Sequence, residues 1–142
     1  MQALLKHLLA AVLMALTALA CAADDPQAFV VIAHASVGRV DAATLQRLYT
    51  GRAIEAGGVP VTVVNAAPGS AVRERFLNQV VKLDDDRYVA YWTVRRHVGK
   101  GVPPHDLKTA AEVINFVQNT PGGLGYITAA ELRPGLNVVF RP

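Results

Sequence analysis

Past the first two dozen residues, short β-branched runs alternate with stretches in which apolar residues recur every three or four positions. Phe29-Val30-Val31-Ile32-Ala33 is a continuous apolar run, as expected of a strand buried on both faces. Asp41 precedes Leu45, Leu48 and Tyr49 at helical spacing, which predicts a capped helix that stops at Gly51. Gly57-Gly58 marks a turn, and Pro60 to Asn65 predicts a second strand. Pro68-Gly69-Ser70 then opens a helix with Val72, Phe76, Leu77 and Val80 on one face, leaving Arg73, Glu74 and Asn78 on the other.

Asp84 to Asp86 stand where a further helix begins, since negative charge there complements the helix dipole. Tyr88, Tyr91, Trp92 and Arg95 follow on that helix, the aromatics at core spacing. Thr109-Ala110-Ala111-Glu112 has the form of a capping box, with Val113, Ile114 and Val117 as the apolar face behind it and Pro121-Gly122-Gly123 as the stop. Leu124 to Ile127 and Leu136 to Phe140 predict two last strands. Strands separated by helices give an α/β fold, a mostly parallel mixed sheet flanked by helices.

The N-terminus has a separate grammar. Lys6 leads into an almost unbroken apolar run from Leu8 to Leu19, about a dozen residues and shorter than the roughly 20 of a spanning helix. Ala20-Cys21-Ala22 fits a small-x-small cleavage site, so residues 1–22 are expected to be a signal peptide and residues 23–142 one exported domain. Acylation of Cys21 as a lipoprotein is the alternative. A cut after Ala22 leaves 120 of the 142 residues and no cysteine, which excludes an intramolecular disulfide and a thiolate metal site. It also leaves 13 basic against 11 acidic side chains, too even a balance to imply nucleic acid.

Candidate chemistry concentrates in PVTVVNAAPGSAVRERF (Pro60 to Phe76). A strand feeding a Gly-Ser turn at a helix start offers free backbone N–H groups, and such a place favours anions. Gly69 permits close backbone approach, and the Ser70 hydroxyl either donates to an oxyanion or caps its own helix. His34, His97 and His105 are scattered, so no metal and no cofactor are expected. Arg95-Arg96-His97 with Lys100 is a basic cluster at a helix end, where cations are favourable. Ser70 lacks the Gly-x-Ser-x-Gly context of a hydrolase elbow, and no enzyme activity is expected.

Three segments in order, LQRLYTGR (Leu45 to Arg52), PGSAVRERF (Pro68 to Phe76) and TPGGLGYI (Thr120 to Ile127), carry a likeness. Through them the chain resembles one lobe, the second, of the phosphate-binding proteins of ABC importers in the type 2 periplasmic binding protein superfamily. The resemblance implies a ligand site at Gly69, Ser70, Ala71, Val72 and Arg73, with inorganic phosphate or a related oxyanion as ligand and a role in phosphate uptake. Where the family has an arginine four residues before the serine and often a threonine two after it, this chain has Ala66 and Val72. Arg73 either substitutes for these donors or is an exposed helix-surface arginine. One lobe leaves the site open, so a homodimer or another envelope protein is expected to complete it. The other class of function is a non-catalytic interaction or sensory module that has kept the fold.

Overall fold

The computed structural model describes residues 24–142. The expected signal peptide, its cleavage point and the lipidation alternative at Cys21 lie outside the described residues. β1 (Phe29–Ala33) is buried at all five positions. It is followed by α1 (Ala42–Tyr49), whose first turn is closed by the Asp41 carboxylate accepting a hydrogen bond from the Thr44 N–H at 2.7 Å. The Gly57-Gly58 turn joins β2 (Glu55–Ala56) to β3 (Val59–Pro60), an antiparallel pair. Pro60 therefore belongs to this hairpin, and the second long strand, β4 (Thr62–Asn65), starts after it. A proline lacks the N–H that a central strand must donate, so the chain breaks pairing there.

α2 (Ala71–Phe76) runs on as a π-helical turn (Leu77–Val81) and stops at Lys82, which is left-handed at φ +64°. α3 (Asp85–His97) is capped by Asp84, whose carboxylate accepts from the Arg87 N–H at 2.8 Å. The two-residue β5 (His105–Asp106) was not foreseen, being too short to leave a pattern. α4 (Ala110–Asn119) begins with Thr109 accepting from the Glu112 N–H at 3.1 Å. The expected capping box is shifted on its return arm, because the Glu112 carboxylate accepts from the Lys108 N–H rather than from that of Thr109. β6 (Gly123–Thr128) and β7 (Asn137–Phe140) complete the sheet.

The strand order is β5-β4-β6-β1-β7. β4 pairs in parallel with β5 and β6, while β1 is antiparallel to both β6 and β7, so four strands point one way and β1 the other. Alternate residues feed two cores. Val31, Leu124 and Tyr126 pack with Leu45, Tyr49, Phe76 and Trp92 beneath α1, α2 and α3, whereas Ile32, Val64 and Ile127 pack with Val113, Ile114 and Val117 of α4 on the opposite face. Gly122, at φ +73°, lets β6 enter against the hairpin, since a Cβ there would run into the Pro60 carbonyl. Glu74 and Asn78 are exposed, as their helical spacing predicts. Arg73 is not: it is only 3% exposed, which corrects the expectation of a helix-surface arginine.

Candidate functional site

The site is built at the end of β4, where the sheet stops and its last polar groups need partners. Asn65 is buried, and its Oδ1 accepts from the Tyr126 hydroxyl at 3.1 Å while its Nδ2 donates to the Tyr88 oxygen at 3.3 Å. The Tyr126 oxygen also accepts from the Ala66 N–H at 3.1 Å, fixing the first residue beyond the strand. Tyr88 donates in turn to the Tyr49 carbonyl at 2.9 Å, which Trp92 Nε1 also reaches at 3.2 Å, and the Tyr49 hydroxyl donates to the Val64 carbonyl at 2.8 Å. Every buried polar group of this network has a partner, as burial requires. Burial pushes the phenols of Tyr49, Tyr88 and Tyr126 up, so they are neutral structural links and not acids or bases at ordinary pH.

Arg73 adds an ionic clamp. Its Nε donates to Asp85 Oδ1 at 2.9 Å, and its Nη1 to Asp106 Oδ1 at 2.6 Å and to the Ala66 carbonyl at 3.1 Å. The Tyr88 ring lies beneath the guanidinium, 5.8 Å from centroid to Cζ. Burial alone would push this guanidinium down, but the two carboxylates outweigh it and hold the charge more firmly than usual. One side chain thereby ties α2, α3 and β5 to the strand end. It faces a cavity of about 260 Å³ shared with Trp92, Arg96 and Asp106, away from Ser70. Arg73 therefore does not replace the absent side-chain donors at the Ser70 turn.

The Ser70 turn lies on the other side. Gly69 stands at φ +79°, and Ser70 turns back so that both its N–H (3.1 Å) and its hydroxyl (2.7 Å) donate to the Ala67 carbonyl. Ser70 occupies the N-cap position yet makes no side-chain cap bond. The cap reading of its hydroxyl is thus corrected: the group closes its own turn by donating to the Ala67 carbonyl. The first helical N–H to bond backward is that of Glu74, to the Ser70 carbonyl at 3.1 Å. The N–H groups of Ala71, Val72 and Arg73 find no acceptor among the described residues. Ser70 and Val72 line a cavity of about 330 Å³ together with Ala66, Lys108, Thr109 and Glu131. Lys108 forms no ion pair among the described residues, whereas the Glu131 carboxylate is held by the Thr128 N–H at 2.9 Å. Lys108 went unnoticed in the sequence because only the fold of β5 and α4 brings it to the turn.

The remaining candidates are apart from this cavity. Arg95, Arg96 and His97 close α3 as expected of its last turn. His34 Nδ1 is 2.8 Å from Ser36 Oγ, a local bond that shapes the turn after β1. Among the described residues no three metal-ligating side chains converge, and no helix is long and apolar enough to cross a membrane.

No protein-family model matches the chain, and no curated protein does. Solved structures do. A proposed phosphate ABC transporter substrate-binding protein with bound phosphate from Clostridium perfringens is similar at TM-score 0.59 and 17% identity, over 79% of this chain and 44% of that one. An ABC-type phosphate transport receptor from Vibrio cholerae matches at TM-score 0.60 and 13% identity, over 79% and 45%. PstS from Borrelia burgdorferi matches at 0.56 and 16%, over 79% and 46%. At such identities the likeness establishes the fold alone: the chain is folded as part of each of these structures is. It spans less than half the length of the structures it matches.

Proposed function

We propose that this chain is a non-catalytic, exported oxyanion-binding module that takes inorganic phosphate or a similar anion at the Gly69-Ser70 turn and serves phosphate uptake. The observation that carries the reading is the open start of α2. Three successive backbone N–H groups, of Ala71, Val72 and Arg73, have no acceptor among the described residues, and the adjoining cavity holds the unpaired Lys108. The helical segment, α2 with its π turn, runs unbroken to Val81, so its dipole favours an anion at this end. A neighbour of the same fold was solved with phosphate bound.

Binding is expected to be weak. Ala66 and Val72 offer no side-chain donor, and each charge-assisted bond foregone costs about 1.5–3 kcal/mol, one to two powers of ten in affinity. The cavity is also open to solvent, and we infer that a second copy or a partner chain closes it. A second reading, an interaction module that has kept the fold without tight anion binding, is favoured by the Ser70 hydroxyl being engaged by the Ala67 carbonyl.

Phosphate titration followed by backbone amide signals, with sulfate as competitor, separates the two. Saturable shifts at Ala71, Val72 and Arg73, weakened by Lys108→Ala, are the expected result. Unmoved amides at millimolar phosphate would overturn the anion site and leave the interaction module.

A further inference from the structure

The large apolar side chains that remain exposed among the described residues are Ile54, Val89, Val94, Val98 and Val102, and none lines the Ser70 cavity. They are not scattered. Val89 borders one depression with Trp92, Arg96 and Pro103; Val94 and Val98 border a second with Thr93 and Arg96; Ile54 and Val102 border a third with Trp92 and Pro103. Shared walls make them one grooved surface along the outer side of α3 and the loop that follows. The apolar side chains stand around adjoining grooves whose shared walls are Thr93 and Arg96 on one side and Trp92, Pro103 and Pro104 on the other, and such a gathering marks a contact site where single scattered valines would not.

Its unpaired charge is basic, since the Asp106 carboxylate that borders the first depression is bound to Arg73. From Arg87 to His105 the chain has no acidic residue, and Arg95, Arg96 and Lys100 stand at the end of α3. Arg95 is turned inward: its guanidinium lies 5.6 Å from the centroids of both the Tyr91 and Trp92 rings and donates to the Gly51 and Lys100 carbonyls at 3.3 Å each. These bonds fix the turn after α3, so the surface is preformed and little ordering is needed on contact. Arg96 and Lys100 are exposed and pair with no carboxylate among the described residues.

We propose that this face docks an acidic segment of another protein, with apolar side chains of the partner set into the grooves beside α3 and its carboxylates on Arg96 and Lys100. Complementary charge around an apolar centre is the usual anatomy of such a contact. A symmetric contact with a second copy through this face would bring the same basic patch, with Arg96 and Lys100 unpaired, against itself with no carboxylate to meet it, which like charge opposes. A lipid surface is recognised by exposed Trp, Phe or Leu beside basic residues, and the exposed apolar residues of this face are Val and Ile.

A photo-crosslinking residue at Val94, compared with one at the exposed Asn115 on α4, tests this in cells that produce the full chain. The expected result is a protein adduct from position 94 and not from 115, on a segment rich in Asp and Glu. The purified partner should then bind the full chain about tenfold or more weakly when Arg96→Glu and Lys100→Glu are introduced, with binding restored by reversing the matching carboxylates. An adduct on a second copy, on lipid or on an uncharged segment, equal labelling at both positions, or no adduct overturns the proposal. An unchanged melting temperature and an unchanged helical circular dichroism signal show that the charge-reversed protein is folded, so this test stands apart from the anion site.

Discussion

Replacing Tyr126 with phenylalanine removes one oxygen from the centre of the molecule and leaves the ring in place, stacked on Phe76 at 4.0 Å between centroids. That oxygen serves two buried groups, donating to Asn65 Oδ1 and accepting from the Ala66 N–H, each at 3.1 Å. No apolar volume is lost, so the cost is that of two buried polar groups left without a partner. At about 1–3 kcal/mol each, and with Asn65 still bonded to Tyr88, the sum is about 2–4 kcal/mol. For a chain of this size that lowers the melting temperature by about 4 °C per kcal/mol, hence by about 8–16 °C. Urea unfolding read from Trp92, the one tryptophan, 4% exposed, measures it directly. Tyr91→Phe is the matched control. The Tyr91 hydroxyl donates to the Thr50 carbonyl at 2.7 Å from a half-buried position where water can replace it, so its loss costs about 1 kcal/mol or less. Equal losses in the two variants, or a Tyr126→Phe protein within about 0.5 kcal/mol of the parent, would refute the assignment of the strand end to this network.

Arg73→Met should be the costliest change in the ionic clamp, about 2 kcal/mol, because it strips the Ala66 carbonyl and both carboxylates of their donor. Asp85 and Asp106 are 25% and 43% exposed, so water softens that loss, and Asp106→Asn should cost about 1 kcal/mol or less; comparable losses on urea unfolding would contradict the order. At alkaline pH the raised phenols make stability fall. Tyr49, Tyr88 and Tyr126 contribute fully below about pH 10, the unfolded value, and that contribution is lost as pH rises toward their higher folded values. Their phenolate absorbance should therefore grow together with loss of the helical circular dichroism signal, and ionisation with that signal intact would contradict the buried network.

Much of the architecture is legible in the sequence because it depends on neighbours a few residues apart. Asp41, Asp84 and Thr109 bond to N–H groups three residues on, so the composition of the first turn announces each helix. The uninterrupted apolar run of β1 and the spacing of Val113, Ile114 and Val117 likewise carry their burial with them. The anion-site candidate was legible for the same reason, as a strand, a glycine turn and a helix start in direct succession.

The rest depends on pairs far apart in the chain, whose meeting no local pattern encodes. An apolar run says that β1 is buried on both faces but not that it runs against its neighbours, since direction is set by which strands come to lie beside it, β6 and β7 here. Arg73 reads as a surface residue until Asp106, 33 positions later, arrives on β5 to pair with it. The Tyr126 hydroxyl meets Ala66 across 60 residues, and Lys108 reaches the Ser70 cavity only once β5 joins the sheet. Apolar periodicity and capping determine which segments are helices and strands, because those forces act within one turn or one pleat. Which polar groups are buried, and with whom, is decided by the assembled sheet, because a buried charge or hydroxyl is tolerable only where tertiary structure supplies its partner.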